Sequence, residues 1–324
     1  MPRRSRRLNP PCHLDGLSDD LVLRLLSRAP FMTHGTLHVV CRRLKTLLRT
    51  PEFQQQRVET GLAEYGLVVA GGRRDLERVA DCSMFTGGRW RPVAPMSVPR
   101  RHACSAIVED EDGQPEMWVM GGLDESFNVL ATVEAYNPRT NTWRSCLPLS
   151  QRRSGAVAGV VGGRLVVAGG YADDDLPDLT SVEAYTPTGW TPLPPLPHAA
   201  SMTTACVLNG RLYVMGGIFC NKLQVLEMSE ENGISWTMKA DLPAERCCAA
   251  SVIHEGGLWV IGGRVDHQPS SSVLIYDIDA DSWGTGPALP WAAYGPRAAK
   301  FNGEIYVLRK DGYWVYRGTA WVDV

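Results

Sequence analysis

The sequence predicts an all-β fold, a six-bladed β-propeller, preceded by a small all-α module. Three observations carry that prediction. Gly-Gly pairs recur at Gly71, Gly121, Gly169, Gly216 and Gly262, in steps of 50, 48, 47 and 46 residues. A tryptophan follows each pair, at Trp90, Trp143, Trp190, Trp236 and Trp283, and Trp321 closes a sixth, shorter unit. Before residue 60 there are no such pairs, and the apolar residues follow helical spacing instead. A period in this range marks a repeat architecture. Most of the chain is then a scaffold, and binding is sought on its loops.

In chain order, residues 1–12 contain the basic run Arg3-Arg4-Ser5-Arg6-Arg7. It is read as a solvated disordered tail in preference to a nuclear-import or phosphate-binding patch. Residues 13–58 form the helical module. Ser18 can cap a helix whose first turn holds Asp19 and Asp20, where negative charge opposes the helix dipole. Leu21, Leu25 and Leu26 share one face, and Pro30 lies past the end. A second helix carries Leu37, Val40, Cys41, Leu44, Leu47 and Leu48 on one side and Arg42, Arg43, Lys45 and Arg49 on the other, the i, i+3, i+4, i+7 pattern of an amphipathic helix. Helices this short bury little surface and lean on a partner.

These residues resemble the F-box. Its pattern runs Leu-x-x-Leu-Pro, a polar pair, a leucine-rich helix, then Val-Cys-Arg-x-Trp and two leucines. This chain has Leu14-Asp15-Gly16-Leu17-Ser18-Asp19-Asp20-Leu21, then Val40-Cys41-Arg42-Arg43-Leu44, then Leu47-Leu48. Ser18 stands for the proline and still starts a helix; Leu44 stands for the tryptophan and keeps the position apolar with less contact area. The resemblance implies that Leu14, Leu17, Ser18, Leu21, Leu25, Leu26, Val40, Cys41 and Leu44 dock a Skp-type adaptor of a cullin-RING ubiquitin ligase. His34, His38 and Cys41 have metal-ligand spacing, but no fourth ligand is evident, and a surface helix explains them.

Residues 64–324 hold the repeats. In the unit from Arg153, a small apolar stretch reaches Val161, Gly162-Gly163 turns the chain, and Leu165-Val166-Val167-Ala168 ends at Gly169-Gly170. After a loop, Val182-Glu183-Ala184-Tyr185 alternates, and Gly189-Trp190-Thr191 begins a fourth strand stopped by prolines. Four short strands joined by turn signals make an antiparallel meander. One such sheet cannot bury both faces, but six around an axis can. The tryptophan and the third-strand tyrosine fill the gap between neighbouring sheets. The Gly-Gly, Tyr, Trp order resembles kelch repeats. Two units depart from it: the fourth has Val225-Leu226-Glu227-Met228 without the tyrosine, and the sixth has Leu308-Arg309 in place of Gly-Gly. First strands are expected from Arg101, Ser154, Ser201, Cys247 and Ala298, and the first unit has none of its own. The ring is then either open or completed from elsewhere.

In a meander the start of strand one and the end of strand two lie at one edge. Residues at those points share a face around the channel mouth, where kelch propellers commonly hold partners. The substrate-binding face is assigned to Arg73, Arg101, His102, Arg153, Tyr171, Phe219, Arg246, Arg264 and Arg297. Arginine recurs in register at Arg100, Arg153 and Arg246, with Ala200 in the fourth unit and Arg297 displaced by four in the sixth. Two readings stand, bracing a turn or gripping carboxylates and phosphates. Tyr171 and Phe219 are aromatic anchor candidates. The run Asp173-Asp174-Asp175 reads as a solvated loop tip.

The bulk numbers bound the rest. A net charge of -2 shows no nucleic-acid bias, and 44% hydrophobic residues support a real core. Of nine cysteines Cys247 and Cys248 are adjacent and the others scattered; with no CxxC pair they read as reduced thiols, which suits cytoplasm or nucleus. No signal peptide is visible, and no stretch approaches a membrane span. No Gly-x-Ser-x-Gly, phosphate-binding loop or dinucleotide fingerprint occurs, nor the iron-binding run of kelch specifier proteins. Copper radical chemistry would require extra domains and more than seven histidines. The expectation is a non-enzymatic adaptor without metal or cofactor: the substrate-recognition subunit of an SCF-type ligase, with Skp-type adaptor, cullin, and an acidic or phosphorylated protein substrate as partners. The alternative is a kelch scaffold without a ligase.

Overall fold

The computed structural model describes residues 67–324, apart from 72, 75, 76, 79, 87, 88, 112, 174, 230–232, 302, 310 and 311. The module expected over residues 13–58, with Leu14, Leu17, Ser18, Leu21, Leu25, Leu26, Val40, Cys41 and Leu44, lies outside them, as do His34 and His38. The described residues contain no helix, so none is long and apolar enough to cross a membrane.

Among the described residues six antiparallel blade sheets follow one another along the chain, beside two small ribbons, Arg73–Arg74 with Glu77–Arg78 and Arg246–Cys247 with Arg264–Val265 and Gln268–Pro269. Blade 2 is Cys104–Glu109, Pro115–Met120, Val133–Asn137 and Thr142–Cys146. Blade 3 is Val157–Val161, Arg164–Ala168, Val182–Thr186 and Gly189–Leu193. Blades 4, 5 and 6 repeat the order from Thr204–Leu208, Ala250–His254 and Arg297–Phe301. Second strands such as Arg164–Ala168 are buried nearly throughout because blades stack on both of their faces, whereas the outer Thr142–Cys146 is half solvated.

Blade 1 has three strands, Leu67–Ala70, Cys82–Thr86 and Arg89–Val93, and no described residue supplies the innermost. The consequence is visible on its neighbour, where Ile107 of the blade 2 inner strand is 60% exposed. The seam between blades 1 and 6 is nevertheless packed. Phe85 meets Phe301, Tyr306 and Tyr313 at centroid distances of 5.9, 5.8 and 5.7 Å. Aromatic contacts of this geometry each contribute about 0.5–1.5 kcal/mol beyond burial.

The tryptophans act as the sequence indicates. Trp143, Trp190, Trp236, Trp283 and Trp321 each donate Nε1–H to a carbonyl of the preceding blade's end, at Ala94, Leu147, Pro194, Ala240 and Pro287. Tyrosine stands directly across the sheet in blades 2, 3, 5 and 6, as in Tyr136↔Trp143. In blade 4, Leu226 takes that place against Trp236 and is fully buried.

One expectation is corrected. The inner strands of blades 2 to 5 begin three residues later than the sequence suggests, at Cys104, Val157, Thr204 and Ala250. A residue of positive φ interrupts the chain just before each: His102 at 55°, Gly155 at 65°, Met202 at 50° and Cys248 at 54°. Left-handed backbone cannot continue a strand. The expected starts survive as isolated bridges, Arg101↔Leu123 and Ser154↔Tyr171, and as the short pairing of Arg246–Cys247 with Arg264–Val265.

Candidate partner-binding face

The same pairings prove the shared edge. Arg101 and Ser154, entering the inner strands, bridge Leu123 and Tyr171, which directly follow the Gly-Gly pairs. The interrupting residues form the rim. Gly155 N–H donates to His102 O at 2.9 Å, Met202 N–H to Gly155 O at 2.9 Å, and Cys248 N–H to Met202 O at 2.7 Å. Histidine, methionine and cysteine are held there in a conformation costing about 1–3 kcal/mol each, a cost that concentrates at functional sites.

Arg153 and Arg246, assigned above to the binding face, do not reach it. Arg153 is buried, its Nε 2.8 Å from Glu183 Oε1 and its Nη1 donating to Gly169 O and Ser181 O. Arg246 donates to Gly262 O, Ser272 O and Ser272 Oγ from an equally buried position. Arg100 repeats the arrangement with Gly121 O, Thr132 O and Glu134. These arginines brace the link between blades, because a long guanidinium can satisfy the carbonyls that the glycine turn leaves unpaired. Blade 4 omits charge at both positions: Ala200 replaces arginine, and Gln224 replaces glutamate and bonds His198 N and O. In blade 5 Leu274 replaces the glutamate, so burial pulls the Arg246 guanidinium below its usual value with no carboxylate to offset it.

The Gly-Gly pairs serve the same joint. A Cβ on Gly121 would stand 2.3 Å from Arg153 O, and one on Gly122 would stand 2.6 Å from Arg101 O. The blade-to-blade link therefore rests on glycine backbone.

The accessible side chains are others. Arg101 lies over the Phe127 ring, its Cζ 5.2 Å from the centroid. Phe219 occupies a two-residue turn after Gly217, is 75% exposed, and meets His267 edge-on at 6.2 Å. Both phenylalanines and His267 have positive φ, 64°, 52° and 63°. An aromatic residue that is both exposed and in left-handed backbone is disfavoured twice over in a purely structural role. Arg264 is exposed on the blade 5 pairing, and Arg297 is exposed at the start of the blade 6 inner strand. Arg297 joins small residues of all five inner strands, Ser105 and Ala158 among them, in lining the central channel. Ala293 holds the blade 6 register position, bridging Ser270 and accepting from Gly263 N, which explains the displacement of Arg297 by four. Tyr171 and His102 are half-buried at the rim. Arg73 sits on a short hairpin opposite Arg78. Arg152 engages Asp173 of the acidic loop at 3.5 Å.

Sequence reasoning passed over Phe127, His267, Trp291 and Tyr294. Trp291 and Tyr294 lie on the link between blades 5 and 6 and are strongly exposed. Their signal was present, since each lies within four residues of the register position, but no repeat partner marks them. Among the described residues no group of three or more His, Cys, Asp or Glu could hold a metal ion.

Together these features define a six-bladed propeller whose one face carries exposed aromatics and arginines around a narrow channel. Residues 114–149, 152–197 and 245–290 match the Kelch motif, so the chain carries kelch repeats. The matched stretches correspond to blades 2, 3 and 5. The unmatched blades are those lacking an inner strand, a third-strand tyrosine or the Gly-Gly pair. None of the matches reaches residues 13–58. The chain is 27% identical to Kelch-like protein 35 of Mus musculus over 258 residues, 78% of this chain and 42% of that protein. It is 26% identical to Beta-scruin of Limulus polyphemus over 244 residues, 70% of this chain and 26% of that protein. It is 30% identical to Kelch-like protein 34 of Homo sapiens over 223 residues, 65% of this chain and 33% of that protein. The chain thus spans two fifths or less of the length of several curated relatives it matches. A solved structure, "Structure of YjhT", superposes with a TM-score of 0.61 at 15% identity, over 80% of this chain and 93% of that one, and this likeness concerns the fold alone.

Proposed function

We propose that this protein is the substrate-recognition subunit of an SCF-type cullin-RING ubiquitin ligase, with the propeller mouth capturing a protein segment and the F-box-like sequence of residues 14–48 docking a Skp-type adaptor. The observation that carries the capture role is the gathering of exposed Phe127, Phe219 and Tyr294 with Arg101, Arg264 and Arg297 on one face. Aromatic anchors beside guanidinium groups suit a segment with an apolar side chain flanked by carboxylate or phosphate. The ligase role rests on the leucine and Val-Cys-Arg pattern of residues 14–48. Catalysis is then by proximity, and the transfer chemistry belongs to other subunits.

A kelch interaction scaffold without a ligase is the second reading, favoured by the confinement of the family match to the propeller. Co-purification of the full chain with a Skp-type adaptor and cullin separates the two. Recovery that is lost in Leu17→Ala/Leu21→Ala supports the ligase. Absence of adaptor from the wild-type protein, with the double variant behaving identically, leaves the scaffold.

A further inference from the structure

Inner strands of successive blades meet in a fixed register. The first residue of one touches the second of the next: Thr204 Oγ1 donates to Ser251 Oγ at 2.7 Å. The third touches the fourth: a Cβ on Gly159 would stand 2.5 Å from Val207 Cγ2. First and third positions thus face the following blade, and second and fourth the preceding one.

Around blade 1 these positions are open. Leu67–Ala70 pairs with Cys82–Thr86, and its channel-side edge has no partner strand among the described residues. On the blade 6 flank the first and third positions are Arg297 and Ala299. On the blade 2 flank the second and fourth are Ser105 and Ile107. Cys104, Val157, Thr204 and Ala250 hold the position of Arg297 in blades 2 to 5, and all are buried, whereas Arg297 is exposed. Val160, Val207 and Ile253 hold the position of Ile107 and are half-buried, whereas Ile107 is 60% exposed. Ser105 is exposed too. Arg297 has no hydrogen-bond or ion-pair partner among the described residues. A free strand edge is a template for strand addition, in which backbone bonds give affinity and alternate side chains give specificity.

We propose that the inner-strand position of blade 1 receives an extended segment of a partner protein, paired antiparallel to Leu67–Ala70, with a carboxylate on its second residue and an apolar side chain on its third. Its first residue lies opposite Ala70, as Val157 lies opposite Ala168 in blade 3. That residue faces Ser105, the second Arg297, the third Ile107 and the fourth Ala299. Asp or Glu matches a guanidinium that has no carboxylate of its own. Val, Ile or Leu covers Ile107 and suits a strand. The residues preceding Leu67 lack this chemistry. Blades 3 to 6 join inner and second strands by two-residue turns, as in Val161↔Arg164 and His254↔Gly257. In that register Thr60 would fall opposite Arg297 and Gly61 opposite Ile107, with neither a charge nor an apolar side chain. The inference rests on the capture reading in that its ligand is a protein segment, but Ile107 and the strand edge are not among the groups assigned to capture above.

Selection of random peptides of about eight residues, displayed on phage against the immobilised full chain, tests this. Enriched peptides should carry Asp or Glu directly followed by Val, Ile or Leu. Arg297→Glu should change the acid to Lys or Arg, and Ile107→Lys should change the apolar residue to Asp or Glu. Both side chains are exposed, so thermal unfolding should not move. A synthetic enriched peptide should bind Ile107→Lys roughly tenfold or more weakly than wild type in fluorescence anisotropy, and should slow hydrogen exchange over Leu67–Ala70. Absence of the pattern, or a pattern unchanged in either variant, overturns the proposal. So does an edge already protected in the peptide-free chain. Protection shared with residues 59–63 would mean that the chain fills the position itself, and protection with sedimentation as a dimer would mean that a second copy does. Partner pull-down that survives Ile107→Lys but is lost in Arg264→Glu/Phe219→Ala sinks the added strand and leaves the capture reading standing.

Discussion

Arg153 and Glu183 form an ion pair inside the propeller wall, Nε and Oε1 2.8 Å apart and each side chain 2% exposed. Glu183 also accepts from the backbone N–H and the hydroxyl of Ser150 on the inter-blade link. Blade 2 repeats the pair as Arg100 and Glu134 at 2.5 Å, with Ser97 N–H on the same carboxylate. Blade 4 lost both charges together, as Ala200 and Gln224. Blade 5 keeps Arg246 opposite Leu274, and there the guanidinium relies on Gly262 O, Ser272 O and Ser272 Oγ instead of a carboxylate.

Glu183→Gln should lower unfolding stability by about 3–5 kcal/mol, the cost of stranding the buried Arg153 charge. The double change Arg153→Ala/Glu183→Gln reproduces blade 4 and should cost clearly less than the sum of the two single changes. Urea unfolding of the four proteins measures the coupling. Strict additivity would show that the pair does not act as a unit.

Glycine at the joint and glycine at a free turn should respond differently to a methyl group. Gly121 has φ of 63° and a Cβ position 2.3 Å from Arg153 O, whereas Gly163 has φ of 73° and open space. Gly163→Ala pays only left-handed strain, about 1–2 kcal/mol. Gly121→Ala adds a backbone clash and should lose at least twice as much in thermal unfolding. Equal losses would mean that the close approach is soft.

Acid should loosen the joint between blades 4 and 5. Asp281 accepts from Tyr276 Oη at 2.6 Å and from Ala240 N–H at 2.8 Å, and these bonds hold its carboxyl below the usual 3.8. The unfolded chain then binds the proton more readily. The stabilisation is complete above pH ~4 and is lost as pH falls through the folded-state value. Asn141 fills the same role in blade 2, accepting from Tyr136 and Ala94 N–H without a titrating group. Asp281→Asn should thus flatten the acid limb of a stability-against-pH curve and change little at pH 7. An unaltered acid limb would remove Asp281 from the account.

Charge and aromatic changes at the mouth should separate capture from folding. Arg264→Glu/Phe219→Ala alters exposed side chains and should leave thermal unfolding nearly unchanged. If these are anchors of the captured segment, quantitative pull-down of the wild-type partners should fall by roughly 30-fold or more. Arg153→Glu should instead destabilise the propeller, through its contact with Glu183. Undiminished capture by the double variant would place the partner elsewhere.

The glycine and tryptophan rhythm was legible because repeat geometry reuses one solution at each joint. The indole N–H of Trp143 meets Ala94 O as that of Trp283 meets Ala240 O. The shared edge was legible too, since meander topology follows strand order. Arg153 and Arg246 were misassigned for a physical reason. Arg153 and Arg264 look alike in sequence, and the difference between a brace and an exposed cation is whether a neighbouring blade covers the side chain.

By itself, then, the sequence determined the all-β repeat, its period and the edge on which loops collect, because periodic packing imposes a periodic pattern. Only the tertiary structure decided which residues on that edge are accessible. Residues far apart in the chain settle burial: Gly121 meets Arg153 O from the next repeat, and Cys248 meets Tyr294 from the link to blade 6. No local pattern encodes contacts across forty-six residues.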